Sequence, residues 1–333
     1  YKRLWLPKKQ LKNKKETVML SRTANHIYWM ARYIERAENM ARVLDVTANM
    51  ALVPNAALSE SALWQPALEI SGNTDAYHAR YDEVTAAQVI HFLALDEENP
   101  SSIYSSLHTA RENARAVRVA LTIETWENIN ALWLEFRQLA SSPLSAETLR
   151  EFCDWVKARS HMFRGVSFGT MLRDDAFHFL RLGTFIERAD NTARLLDVKY
   201  HLLLPKEQEV GGGVDYYEWS AVLRSVSAFQ AYQKIFSDTI QPWNVAELLV
   251  LRADMPRSLH ACFEEISHIL DTLSHGRHIE CKRIAGEINA SLLYGRMDHI
   301  FQHGLHEFLT QFIDSNQRLA SEIQRTFLNV HAA

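Results

Sequence analysis

The chain has 333 residues, 47% of them hydrophobic and 23% charged, with only 11 Gly and eight Pro. These are the proportions of a globular protein long enough to bury a sizeable core. Seven basic residues against Glu16 put residues 1–18 at +6 and the remainder at −10, for a net charge of −4. An acidic body argues against nucleic acid as a partner, and with no run of about 18 apolar residues no membrane span is expected.

Residues 1–18 lack the apolar stretch of a secretory signal and are expected to form a basic, disordered tail. Ser21 reads as an N-cap, with Leu20 as a hydrophobic staple, for a long helix over 23–53 stopped by Pro54. Residues 54–82 are mixed, and 84–95 reads as helix. Asp96-Glu97-Glu98-Asn99-Pro100 then forms a turn, with Pro100 in the first turn of a helix running to 121. Helices over 124–139 and 146–163 are separated by Ser142-Pro143. A second long helix is expected over 174–204, stopped by Pro205, and Gly211-Gly212-Gly213 reads as a flexible loop. Helices over 243–251, 262–274, 279–294 and 300–327 complete the chain. Almost no segment alternates as a strand would, so the fold class is all-α.

One stretch occurs twice. Residues 34–46, Ile-Glu-Arg-Ala-Glu-Asn-Met-Ala-Arg-Val-Leu-Asp-Val, return at 186–198 with ten of thirteen positions identical. Around Leu95, Pro100 and Ser102 a second correspondence, to Leu251, Pro256 and Ser258, runs at an offset of 156. The expectation is an internally duplicated helical bundle with two pseudo-equivalent halves, 19–170 and 171–333. At 100° per residue, Ile34, Ala37, Ala41 and Leu44 share one arc, and Glu35, Glu38, Asn39, Arg42 and Asp45 share the adjoining one. The second copy repeats every polar type as Glu187, Asp190, Asn191, Arg194 and Asp197. Such a stripe is either a buried salt-bridge network or a polar site, and the two can coexist. The small residues Ala37, Ala41, Ala189 and Ala193 would let the two helices cross closely near a pseudo-twofold axis, with the polar arcs facing each other.

Ser21-Arg22-Thr23-Ala24, Tyr28 to Asn39, Ala110 to Arg115, Phe179 to Asp190 and Gly304 to Leu309 together resemble the bacterial alpha-E domain family over about residues 19–330. That family is all-helical and of unknown function. Its members tend to accompany an ATP-grasp amide ligase and a transglutaminase-like protease. The resemblance implies an accessory or partner protein in making or modifying peptide-like amide bonds, and the three cysteines read as those of a cytosolic protein. The family's glutamates fall on Glu35, Glu38, Glu112 and Glu187, with Asp190 as a further acidic position. His26 stands where an acidic residue is more typical.

Three chemistries can be weighed on the residues themselves. Glu35, Glu38, Glu187 and Asp190 are candidate acid/base groups acting on a peptide or amino acid. Arg42, Asn39, Asp45, Arg194, Asn191, Asp197 and Glu112 are candidate binding residues. Glu265-Ile266-Ser267-His268 has the Glu-x-x-His spacing of di-iron bundles, but the positions 156 residues earlier, Thr109 and Glu112, do not repeat it. Glu265 and His268 are therefore only weak metal candidates. His26 and His178 correspond at offset 152 and read as structural histidines. Cys153, Cys262 and Cys281 lack metal spacing and read as reduced thiols. No Gly-x-Ser-x-Gly elbow or Walker-type loop is present, so no cofactor is expected and any ATP-driven step belongs to a partner.

Overall fold

Stretches rich in Ala, Leu, Glu and Arg, punctuated by Ser and Thr caps, lay the chain out as helices. The computed structural model describes residues 19–51, 59–202, 213–237 and 239–329, and every regular element among them is helical. The first group comprises α1 (Ser21–Ala51), α2 (Glu60–Ser71), α3 (Thr74–His78) and α4 (Ala86–Ile90), which widens into a π turn over His91–Leu95. It continues with α5 (Ile103–Ala116), α6 (Ile123–Leu139) and α7 (Ala146–Thr170). The second group opens with α8 (Asp175–Leu202), α9 (Gly213–Ser225), α10 (Phe229–Phe236) and α11 (Pro242–Val250). Then come α12 (Leu259–Leu273), α13 (Glu280–Leu293), α14 (Met297–His303) and α15 (Leu305–Ile323).

The two longest helices, α1 and α8, lie against each other at the centre. Helix α1 packs on α5 and α7, and α6 packs on both of these. Helix α8 packs on α12 and α15, and α13 packs on both of these. One continuous apolar core runs through both groups. Ala37, Ala41, Ala189 and Ala193 are all buried in it, as small residues must be where backbones approach. The backbones come very close at Gly183. A Cβ there would stand 2.3 Å from the carbonyl oxygen of Tyr28 and 3.4 Å from Ala31 Cβ, so only glycine fits.

The loops before α5 and α12 are built alike. Ser102 caps α5 by accepting from Ser105 N and donates its Oγ proton to the Asp96 carbonyl at 2.6 Å. Ser258 caps α12 by accepting from Ala261 N and donates to the Arg252 carbonyl at 2.6 Å. Each serine therefore fixes both the helix start and the turn leading into it. Ser102→Ala should cost about 1–2 kcal/mol, the usual value of a lost cap, read as a lowered denaturation midpoint at unchanged slope.

Several sequence expectations shift. Leu20 is 76% exposed and α1 begins at Ser21, so no staple forms. Pro100 lies in the turn ahead of α5, which Ser102 caps, and α5 ends at Ala116 rather than near 121. Helix α7 runs seven residues past 163. The helix expected over 300–327 breaks at Gly304, whose φ of 101° is open only to glycine. Helices α9 and α10 had no sequence reading. The 1–18 tail, Pro54, Pro205, Gly211 and Gly212 lie outside the described residues, while Gly213 begins α9.

Candidate functional site

The close crossing of α1 and α8 brings their polar arcs into a shared, largely buried space. Glu35 and Glu38, 1% and 0% exposed, point from α1 into it. Glu35 accepts from Arg188 of α8 through Nε at 3.0 Å and Nη2 at 3.1 Å, and from Arg257 Nη1 at 3.0 Å and Arg164 Nη1 at 2.9 Å. Glu38 accepts from Arg42 Nε at 2.9 Å, Arg257 Nη2 at 2.5 Å and Ser160 Oγ at 2.6 Å, with Arg164 Nη1 also bound. His161 Nε2 stands 3.4 Å from the same carboxylate. Glu187 of α8 accepts in turn from Arg36 of α1, through Nε at 2.6 Å and Nη2 at 3.2 Å, and from Arg32 Nε at 2.8 Å.

The two Glu-Arg pairs thus exchange partners: Arg188 serves Glu35, and Arg36 serves Glu187. Cation–π contacts help hold the guanidinium planes, with Arg32 over Trp29 at 4.7 Å and Arg188 over Phe185 at 5.3 Å. Burial by itself would push these carboxyls up, but the guanidiniums prevail. Arg188, Arg257 and Arg164 hold Glu35 down at about 2. Arg36 and Arg32 hold Glu187 down at about 2. His161, Arg257, Arg164 and Arg42 keep Glu38 well below the ordinary range. Burial, with Arg188 and Arg42 as like-charged neighbours, draws Arg257 down to about 10.

These carboxylates therefore stay ionised through the neutral range. A group whose folded pKa is depressed stabilises the fold fully above its unfolded value and loses that contribution as pH falls toward the folded value. Glu187 alone is worth roughly 3 kcal/mol in this way, at 1.36 kcal/mol per unit. The melting temperature should hold steady from pH 7 to 5 and fall steeply between about pH 4.5 and 2. A flat profile across that acid span, followed by circular dichroism, would mean that the carboxylates are not ion-paired.

Beside the network lies a polar cavity of about 230 Å³. Arg36, Asn39, Glu187, Asp190, Asn191 and Arg194 line it from α1 and α8. The C-terminal end of α2 supplies Gly72 and Asn73, and the loop before α5 supplies Ser101. Gly72 takes the left-handed conformation, φ 68°, that ends α2, and a Cβ there would stand 3.6 Å from Arg194 Nη1. Asp190 Oδ2 accepts from Arg194 Nε at 2.7 Å. Asn39 is 3% exposed. Arg257 Nη1 donates to its Oδ1 at 3.1 Å, which fixes the amide, and its Nδ2 finds no acceptor among the described residues.

Of the residues singled out in the sequence, Glu35, Glu38, Asn39 and Arg42 join Glu187, Asp190, Asn191 and Arg194 in this region. Asp45 instead pairs with Lys157 at 2.6 Å, and Asp197 with His306 at 2.6 Å. Glu112 makes local pairs with Arg111 and Arg115, outside the network. Glu265 pairs with Arg181 at 2.8 Å and His268 is exposed; no group of three or more metal-type ligands occurs among the described residues. His26 bonds Asn113 at 2.7 Å, and His178 bonds the Asp174 carbonyl just ahead of α8. The three cysteines are buried and unpaired. Sequence reasoning missed Arg32, Arg36, Arg164, Arg188 and Arg257, although Arg36 and Arg188 stand in the repeated segment itself.

Glu35-Arg36 and Glu187-Arg188 are each a Glu-Arg dipeptide. Residues 19–328 match the Alpha-E family, described as a predicted alpha-helical domain with a conserved ER motif, and the chain belongs to that family. It is also similar to an uncharacterised protein of Mycobacterium bovis and to one of Mycobacterium tuberculosis, each 32% identical over 120 residues. The match covers 32% of this chain and only 13% of each mycobacterial protein. No solved structure matches the chain. Among the described residues no helix is long and apolar enough to cross a membrane.

Proposed function

We propose that this chain is a non-catalytic binding partner in the synthesis or modification of peptide-like amide bonds, acting beside an ATP-grasp-type ligase or a transglutaminase-like protein. The observation that carries binding over catalysis is the state of Glu35, Glu38 and Glu187. A general acid or base must trade its proton near the working pH, whereas these three are locked as carboxylates under guanidiniums. The cavity next to them offers polar groups to a ligand without demanding proton transfer. The partner itself comes from the family resemblance. In the mycobacterial relatives the matched stretch is a small part of a much longer chain, as suits a unit that works alongside others. The three unpaired thiols fit a reducing, cytoplasmic setting.

We also read the two halves, 19–170 and 171–333, as copies of one unit. Three features support this. The helices around α1 and α8 pack in the same chain order. The exchange of Arg188 and Arg36 has the reciprocal form of a twofold interface. Gly183 sits over Ala31, its own counterpart at offset 152.

The functional reading is tested with the purified chain and an ATP-grasp ligase from the same source. The two should co-elute on size exclusion, and the chain should raise the ligase's ATP turnover severalfold while consuming none alone. An amide-forming or amide-cleaving activity of the chain by itself, abolished by Asp190→Asn, would replace this reading with the enzymatic one.

A further inference from the structure

The two halves differ at one telling place. In the first, the guanidinium of Arg257 is inserted among Glu35, Glu38 and Asn39, bonding all three. Their counterparts at offset 152 are Glu187, Asp190 and Asn191, and all three line the polar cavity. The counterpart of Arg257 itself, at the loop offset of 156, is Ser101, which also lines that cavity. Where one half has a buried guanidinium, the other has a short side chain and a space of about 230 Å³.

The acceptors left there are under-used. Arg194 occupies Oδ2 of Asp190, and Oδ1 has no donor among the described residues. Asn191 makes no side-chain hydrogen bond among them either. The charges point the same way. In the first half four guanidiniums, those of Arg42, Arg164, Arg188 and Arg257, surround two carboxylates. In the second only three, those of Arg32, Arg36 and Arg194, surround Glu187 and Asp190. One added cation would bring the second half to the balance the first already sustains. Arg36 and Arg194 do not forbid it, because their counterparts Arg188 and Arg42 flank Arg257 while bound to carboxylates of their own.

We propose that this cavity binds an organic cation, a guanidinium or primary ammonium group of a peptide or amino acid, seated on Glu187, Asp190 and Asn191 as Arg257 is seated on Glu35, Glu38 and Asn39. The proposal rests on the duplicated reading given above and names the ligand class of the binding function. It is measured on the isolated chain, so its outcome is separate from that of the ligase experiment.

Titration calorimetry with L-arginine, L-citrulline and inorganic phosphate tests it. L-Arginine should bind, and L-citrulline, nearly the same shape without the charge, should bind at least tenfold more weakly. Asp190→Asn should weaken arginine at least tenfold. Ser101→Arg is the sharper variant: it supplies from the chain's own loop the cation that Arg257 supplies in the other half. It should abolish arginine binding and raise the melting temperature. Equal binding of arginine and citrulline, no binding of arginine, or binding of phosphate in place of arginine would overturn the proposal. So would a Ser101→Arg protein that is folded and still takes arginine.

Discussion

Glu35→Gln should lower the melting temperature by on the order of 10 °C, measured by circular dichroism at neutral pH. Glutamine keeps the shape but removes the charge that three guanidiniums share. Arg188 and Arg257 are buried, and neither can shed its proton at neutral pH. Breaking a buried ion pair by removing one partner costs about 3–5 kcal/mol, because the other charge is left uncompensated. Each kcal/mol moves the midpoint of a large domain by about 2–4 °C. Glu112→Gln is the control. Its pairs with Arg111 and Arg115 are local and partly solvated, so its change should stay within about 0.5 kcal/mol. Equal, small effects at both positions would mean that Glu35 is solvated.

Gly183→Ala should be comparably damaging although it adds one methyl group. That methyl would meet the Tyr28 carbonyl oxygen at 2.3 Å, which is backbone and cannot swing aside. Helices α1 and α8 would have to part there. Overpacking of this kind costs about 1–3 kcal/mol, and the parting also stretches the exchange between Arg36 and Glu187, one turn along α8. A drop of roughly 5–10 °C is expected. Gly165→Ala is the contrast, since nothing stands within 4 Å of a Cβ there. It should leave the melting temperature unchanged or raise it slightly, alanine being the better helix former.

The helices and the charged arc were readable because both rest on spacing. The run of Glu35, Glu38 and Asn39, repeated as Glu187, Asp190 and Asn191, marks residues that converge around one crossing. The arc also overreached. Asp45 and Asp197 lie past the crossing, where each helix faces its own bundle, and they pair with Lys157 and His306 instead. Arg36 and Arg188 were missed because they sit off the arc by angle. A long guanidinium stem reaches across from the flank, which a wheel of Cβ directions does not register. Identity between the stretches 34–46 and 186–198 was the signal that could have found them. Arg164 and Arg257 carried no such signal, since the residues at the same sequence offsets, Asn316 and Ser101, differ in kind. Ser101, the short side chain at the loop offset from Arg257, lines the open cavity.

Glu35 and Arg188 meet across the crossing of α1 and α8, and the site is built on that contact. A double-mutant cycle of Glu35→Gln and Arg188→Gln, by denaturant unfolding, measures that meeting. It should return a coupling of about 2–3 kcal/mol, the double variant losing far less than the sum of the singles. Additivity to within about 0.5 kcal/mol, as for two sites that do not touch, would contradict it.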